Sequence, residues 1–123
     1  MKVLALDYGS ARTGVAVSDP TGTIARPLGV VERAGTQAGL AELVRLIRAE
    51  EAERIVVGLP LTLRGEHGEQ ARETAEFVEA LRAAIDVPVE SYDERFTTVL
   101  GGDDAGAAAH LLTSWLEWSS GRP

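Results

Sequence analysis

The sequence predicts an α/β domain built on a mixed five-stranded sheet flanked by helices. Short apolar runs around Leu4, Val15, Ile55 and Val89 have the length and composition of buried strands. Other stretches repeat apolar residues at i, i+3, i+4 and i+7, the signature of a helix with one buried face. The resulting order is β-β-β-α-β-α-β-α. Its first three strands, joined by short turns, suit an antiparallel meander, and the strand–helix–strand–helix–strand remainder suits parallel pairing through right-handed crossovers.

Taken in order, Lys2 to Asp7 reads as a buried strand ended by a carboxylate and by Tyr8-Gly9-Ser10. Gly14 to Asp19 forms the second strand, closed by Asp19-Pro20. A third strand, Ile24 to about Glu32, contains Pro27, which lacks an N–H and places the strand at an edge or bends it. Leu40, Leu43, Val44 and Ile47 define the first helix, with Thr36 as its N-cap. Arg54 to Gly58 is the next strand, ended by Leu59-Pro60. A polar loop from Thr62 to Gly68 leads to a second helix whose buried stripe is Ala71, Thr74 or Ala75, Val78, Leu81 and Ile85. Val87 to Tyr92 is the last strand. The final helix starts near Asp103 and buries Ala108, Leu111, Leu112, Trp115 and Leu116. The first strand is the most apolar, so it is expected centrally, paired with the strand at Ile55.

At 123 residues, 45% hydrophobic and 25% charged, the chain has room for one domain, residues 1–123, and the composition excludes wholesale disorder. No apolar run reaches the roughly 18 residues of a membrane span, and Val3 to Leu6 is too short for the core of a signal peptide. With no cysteine, disulfides, thiolate metal sites and cysteine nucleophiles are excluded. A cytoplasmic protein is the expectation. Lys+Arg number 12 against 19 Asp+Glu, a net charge of -7. No global basic field draws in a polyanion, so any nucleic-acid function must rest on a local arginine cluster or on cations that cancel carboxylate charge.

In open α/β sheets the site lies beyond the carboxyl ends of the parallel strands. Asp7 closes one such strand and Asp93-Glu94-Arg95 follows another, so these carboxylates are expected to converge on one rim, with Asp103-Asp104 as a third source at the start of the last helix. Converging carboxylates without cysteine and with few histidines favour a hard cation, Mg²⁺ or Mn²⁺. Two such ions suit in-line phosphodiester hydrolysis. Plainer roles exist for each group: a turn cap for Asp7, a surface ion cluster for Asp93 to Arg95, an N-cap for Asp103 or Asp104. His67 and His110 lack a second ligand at metal spacing. The acidic stripe from Glu69 to Glu79 reads as a solvated face, and Trp115 and Trp118 as core and surface filler. In the turn after the first strand, Gly9 and Gly14 allow a tight hairpin and close backbone approach, and Arg12 is placed to contact a phosphate. Phosphate loops of actin-like kinases share that D-x-G-x-x-x-x-G pattern, so a phosphate-loop ATPase or kinase fragment is a rival reading.

The combined motifs are more specific. D-Y-G-x-x-R-x-G-V-A-V-S-D from Asp7 to Asp19, V-V-G-L-P-L from Val56 to Leu61 with Gly65, Gly68, Gln70 and Ala71, D-E-R-F-T-T from Asp93 to Thr98, and D-A-x-A-A-A-x-L-L from Asp104 to Leu112 occur in order across almost the whole chain. This combination resembles the YqgF family, bacterial Holliday-junction-resolvase-like proteins described as nucleases that mature the small-subunit ribosomal RNA precursor. The resemblance implies a ribonuclease H-like fold. It also implies Asp7, Glu94 and Asp104 as catalytic metal ligands for Mg²⁺ or Mn²⁺, with Arg12 and Arg95 as phosphate contacts. The implied partner is structured RNA, the 16S rRNA precursor first and a branched DNA junction less so. A binding protein of the ribosome or of transcription that keeps the fold but cleaves weakly is the alternative. One departure stands out. Family members usually carry a further, often basic, helix before the D-A-x-A-A helix, and here only Val99 to Asp103 intervene, so that element is lost or a segment is missing from the sequence.

Overall fold

A computed structural model describes residues 1–60, 68–94 and 103–121. The elements are β1 (Val3–Asp7), β2 (Arg12–Ser18), β3 (Ala25–Glu32), α1 (Gln37–Glu50), β4 (Arg54–Leu59), α2 (Glu69–Ala84), β5 (Val89–Asp93) and α3 (Asp104–Ser120). The five strands form one sheet in the order β3-β2-β1-β4-β5. β1–β2 and β2–β3 pair antiparallel, and β1–β4 and β4–β5 pair parallel, as the element order requires.

β1 is central because it is apolar on both faces: Val3, Leu4, Ala5 and Leu6 are all at most 1% exposed. Side chains alternate across the pleat. Leu4 and Leu6 join Val15, Val31, Ile55 and Val57 under α1 and α2, against Leu43, Ile47, Phe77, Val78 and Leu81. Val3 and Ala5 join Ala16, Val56 and Tyr92 under α3, against Ala108, Leu111, Leu112, Trp115 and Leu116. The sheet is thus covered on both sides. The same alternation assigns Asp7, at the end of β1, to the α3 face.

β3 is the edge strand that Pro27 foretells. The ladder shifts between Val15 and Ala16, which pair with Gly29 and Pro27, so Leu28 is the extra residue of a bulge. Thr36 caps α1 by accepting from the Gly39 N–H at 3.1 Å, and Asp103 caps α3 by accepting from the Gly106 N–H at 2.7 Å. On α2 the buried stripe is Ala71, Thr74, Phe77, Val78 and Leu81. Thr74 rather than Ala75 faces inward, Phe77 joins the core, and Ile85 caps the C-terminus instead of continuing the helix.

Of the two uses expected of Gly14, the close backbone approach holds and the turn does not. Gly14 lies inside β2, paired with Asp7, and is not part of the turn. A methyl group there would collide with the backbone carbonyl of Asp104. The missing side chain lets the first turn of α3 rest directly on β2. Gly9 does serve the turn, since a Cβ on it would meet the Arg12 carbonyl at 2.5 Å.

Gly14→Ala is therefore expected to lower stability by about 1–3 kcal/mol, the usual cost of overpacking against a rigid backbone. Gly29→Ala has nothing within 4 Å of the new methyl group and should be neutral or slightly stabilising. Urea unfolding of the two variants checks the contrast.

Candidate active site

The parallel strands β1, β4 and β5 end on one rim, and the acidic residues gather there. Asp7 is the last residue of β1, and Glu94 follows directly on β5. Between them runs β4, where Gly58 pairs with Tyr92. A Cβ on Gly58 would strike the Glu94 carboxyl group. Glu94 therefore lies across the space that a side chain at position 58 would fill, and reaches Asp7. A glycine in a strand otherwise made of Ile55, Val56, Val57 and Leu59 was the sequence signal for this close approach.

The two carboxyl groups share a hydrogen bond. Burial is the largest cause of a raised Glu94 pKa, pushed up to about 8, followed by the hydrogen bond to Asp7 and then by the charges of Asp7 and Asp93. At neutral pH Glu94 is thus mostly protonated and donates to Asp7. Asp93, one residue earlier, points to the other face by strand alternation and acts on Glu94 through its charge.

Asp103 and Asp104 divide their roles. Asp103 is used up as the α3 N-cap. Asp104 packs its backbone on Gly14, the register partner of Asp7, and its carboxylate forms an ion pair with Arg12 Nε at 3.1 Å. The two side chains remain accessible, 65% exposed for Arg12 and 39% for Asp104. Arg12, expected as a phosphate contact, is thus engaged by one of the expected metal ligands. Among the described residues no three Asp, Glu or His side chains come together as a metal-binding group. The structure joins Asp7 with Glu94 and rests the Asp104 backbone on Gly14, the register partner of Asp7, with the Asp104 carboxylate paired to Arg12. Arg95, His67 and the rest of the F-T-T segment lie outside the described residues.

The pair suits the expected cation by chemistry. Asp7 and Glu94 are hard oxygen donors held together by a proton, the position in which a cation would replace it. Tyr8, which the sequence reading passed over, stacks on Phe77 with ring centroids 4.4 Å apart. It lies on the α1/α2 side, where burial and then Glu73 and Glu76 raise its pKa. This stack anchors the chain immediately after Asp7. Trp115 is buried, Trp118 is exposed, and Glu69, Glu73, Glu76 and Glu79 face outward, as expected.

A meander of three antiparallel strands continued by two parallel ones, with acids on the rim and a helix crossing the same face, defines the ribonuclease H-like class. The chain belongs to the RuvX family, whose model, described as "Holliday junction resolvase", matches residues 1–103. A relative from Chloroflexus aggregans, named "Putative pre-16S rRNA nuclease", is 46% identical over 97 residues, covering 79% of this chain and 68% of its own. One of the same name from Rubrobacter xylanophilus is 44% identical, covering 98% of this chain and 95% of its own. That alignment runs over 135 positions, more than the 123 residues here, so it contains insertions that this chain lacks. Among solved structures, Thermus thermophilus RuvC in complex with a Holliday junction superposes with a TM-score of 0.66 at 18% identity, covering 98% of this chain and 96% of that one. It shares the fold.

The Glu94 shift sets a pH dependence. Its folded pKa, about 8, lies above its ordinary value of 4.5, so the folded state binds the extra proton between those values. The stabilisation is complete below about pH 4.5 and is lost as pH rises toward 8. In chelator, the melting temperature of the wild type should fall across that window more than that of Glu94→Gln, which keeps a neutral side chain. Parallel pH profiles would disprove the buried carboxyl pair.

Proposed function

We propose that the protein is a Mg²⁺- or Mn²⁺-dependent endonuclease that hydrolyses phosphodiester bonds in structured RNA, with the 16S rRNA precursor as its substrate and the cytoplasm as its place. The observation that carries the reading is the Asp7–Glu94 pair, laid over Gly58 at the carboxyl rim of the parallel strands. The names of the family's relatives supply the substrate class. Asp7, Glu94 and Asp104 are the residues assigned to hold two divalent cations. Bound there, such ions supply Lewis acidity to activate water and to stabilise the leaving oxygen.

The residues themselves have distinct tasks. Asp7 is fixed by β1, buried up to its last residue, and needs no rearrangement. Glu94 must give up the proton it shares with Asp7 before both can act as ligands. Arg12 and Arg95 are assigned to the phosphates flanking the scissile bond, because the net charge of -7 leaves binding to local cations. A DNA junction resolvase is the second reading, favoured by the family's description.

A cleavage panel of duplex RNA, single-stranded RNA and four-way DNA junctions, each with Mg²⁺, Mn²⁺ or chelator, tests the proposal. Cleavage of RNA that disappears in chelator is expected. Asp7→Asn should reduce it by at least about a hundredfold while the protein stays folded, since the amide keeps the volume and loses the charge. Activity on the junction alone would select the second reading, and full activity of Asp7→Asn would remove the metal assignment. Independently, Arg12→Ala should weaken RNA binding and flatten its salt dependence by roughly one log-log unit, whereas Arg48→Ala, on the α1 face, should change little.

A further inference from the structure

Arg12 and Asp104 carry assignments that compete. Strand alternation sets Arg12 and Gly14 on the same face of β2, two residues apart. Asp104 rests its backbone on Gly14, so its side chain emerges beside Arg12, and the two form the 3.1 Å ion pair. The same backbone contact puts Asp104 next to Asp7, the register partner of Gly14. Capping falls to Asp103, and the Asp104 carboxylate, in the first turn of the helix, makes its ion pair with Arg12. Its carboxylate takes the guanidinium, while its backbone rests on the strand position paired with Asp7.

We propose that Arg12 is an exchange partner: it holds Asp104 in the free protein and releases it when a nucleic-acid phosphate takes the guanidinium, so that polyanion binding and divalent-cation binding strengthen each other. This rests on the nuclease reading above and adds the order in which its site is completed. An arginine meets a phosphate as readily as a carboxylate, through the same fork of donors. Exposure of both side chains keeps the existing pair weak enough to exchange. A pair of that kind corresponds to a coupling of about 1.5-fold to fivefold, and by linkage the factor is the same in both directions. The consequence is economical for an acidic protein. Without substrate the third carboxylate is neutralised by Arg12 and the cation site stays incomplete, and with substrate both ends of the pair are reassigned at once.

The test is a double-mutant cycle on the full chain, read by Mn²⁺ binding calorimetry without nucleic acid. Wild type should bind Mn²⁺ and Asp7→Asn should not. Arg12→Gln should tighten Mn²⁺ binding by up to about fivefold, and that gain should vanish on an Asp104→Asn background. A gain of equal size on both backgrounds would mean that Arg12 acts only as a distant positive charge, and would overturn the exchange while leaving the nuclease reading intact. No gain in Arg12→Gln overturns it as well. Absence of any Asp7-dependent Mn²⁺ binding defeats the nuclease reading and the exchange together. The polyanion side gives a second readout: in chelator, Asp104→Asn should tighten binding of a short RNA duplex by up to about fivefold, and only where Arg12 is present. Tightening that persists without Arg12 would reflect lost repulsion alone and would count against the exchange.

Discussion

The close approach of α3 to β2 at Gly14 is the contact on which the rim depends. A helix crossing a sheet normally stands off by the length of the side chains between them. Here one residue without a side chain lets the helix backbone reach the strand at the position paired with Asp7. The apolar layer of Ala16, Val56, Leu111, Leu112 and Trp115 supplies the attraction that holds α3 down, and Gly14 sets how near its first turn comes. Asp103 then accepts from the Gly106 N–H of that turn and caps the helix at the rim. A larger residue at position 14 would move Asp104 away from Asp7 and separate the acids that come from different elements.

A second glycine solves the matching problem on the other side of Asp7. Burying a carboxylate is costly unless its charge is removed or shared. Gly58 makes room for Glu94 to lie over β4, and the proton held between Glu94 and Asp7 leaves one charge at the pair instead of two. Asp104 meets the same constraint differently, by pairing with Arg12 at the solvent edge. The rim thus holds one protonated carboxyl group and one carboxylate matched by arginine. Under the proposed function both arrangements are reversed, one by losing a proton and the other by exchanging a partner.

The family comparison bears on the segment before α3. The family model ends at residue 103, where α3 begins, and a relative of nearly full coverage aligns over more positions than this chain has. α3 nonetheless packs fully, with Ala105, Ala108, Leu111, Leu112, Trp115 and Leu116 buried.

Much of this protein was legible in its order of residues. Strand and helix periods are local properties, so the eight elements, the central place of β1, the bend or edge position that Pro27 imposes and the Thr36 cap could be read from the chain, while Asp103 was one of two candidate caps for α3. Asp7 and the Asp93/Glu94 pair could be placed on one rim because parallel strands end on the same side. The partners that these acids choose were not legible. That Glu94 is protonated against Asp7 depends on desolvation and on a gap over Gly58, a residue 36 positions away in the chain. That Asp104 turns to Arg12 depends on a helix and a strand meeting at Gly14, where the sequence announced a close backbone approach without naming what approaches. Period and composition decide which residues reach the rim; only the three-dimensional packing, by setting distances between elements far apart in sequence, decides which charges there meet.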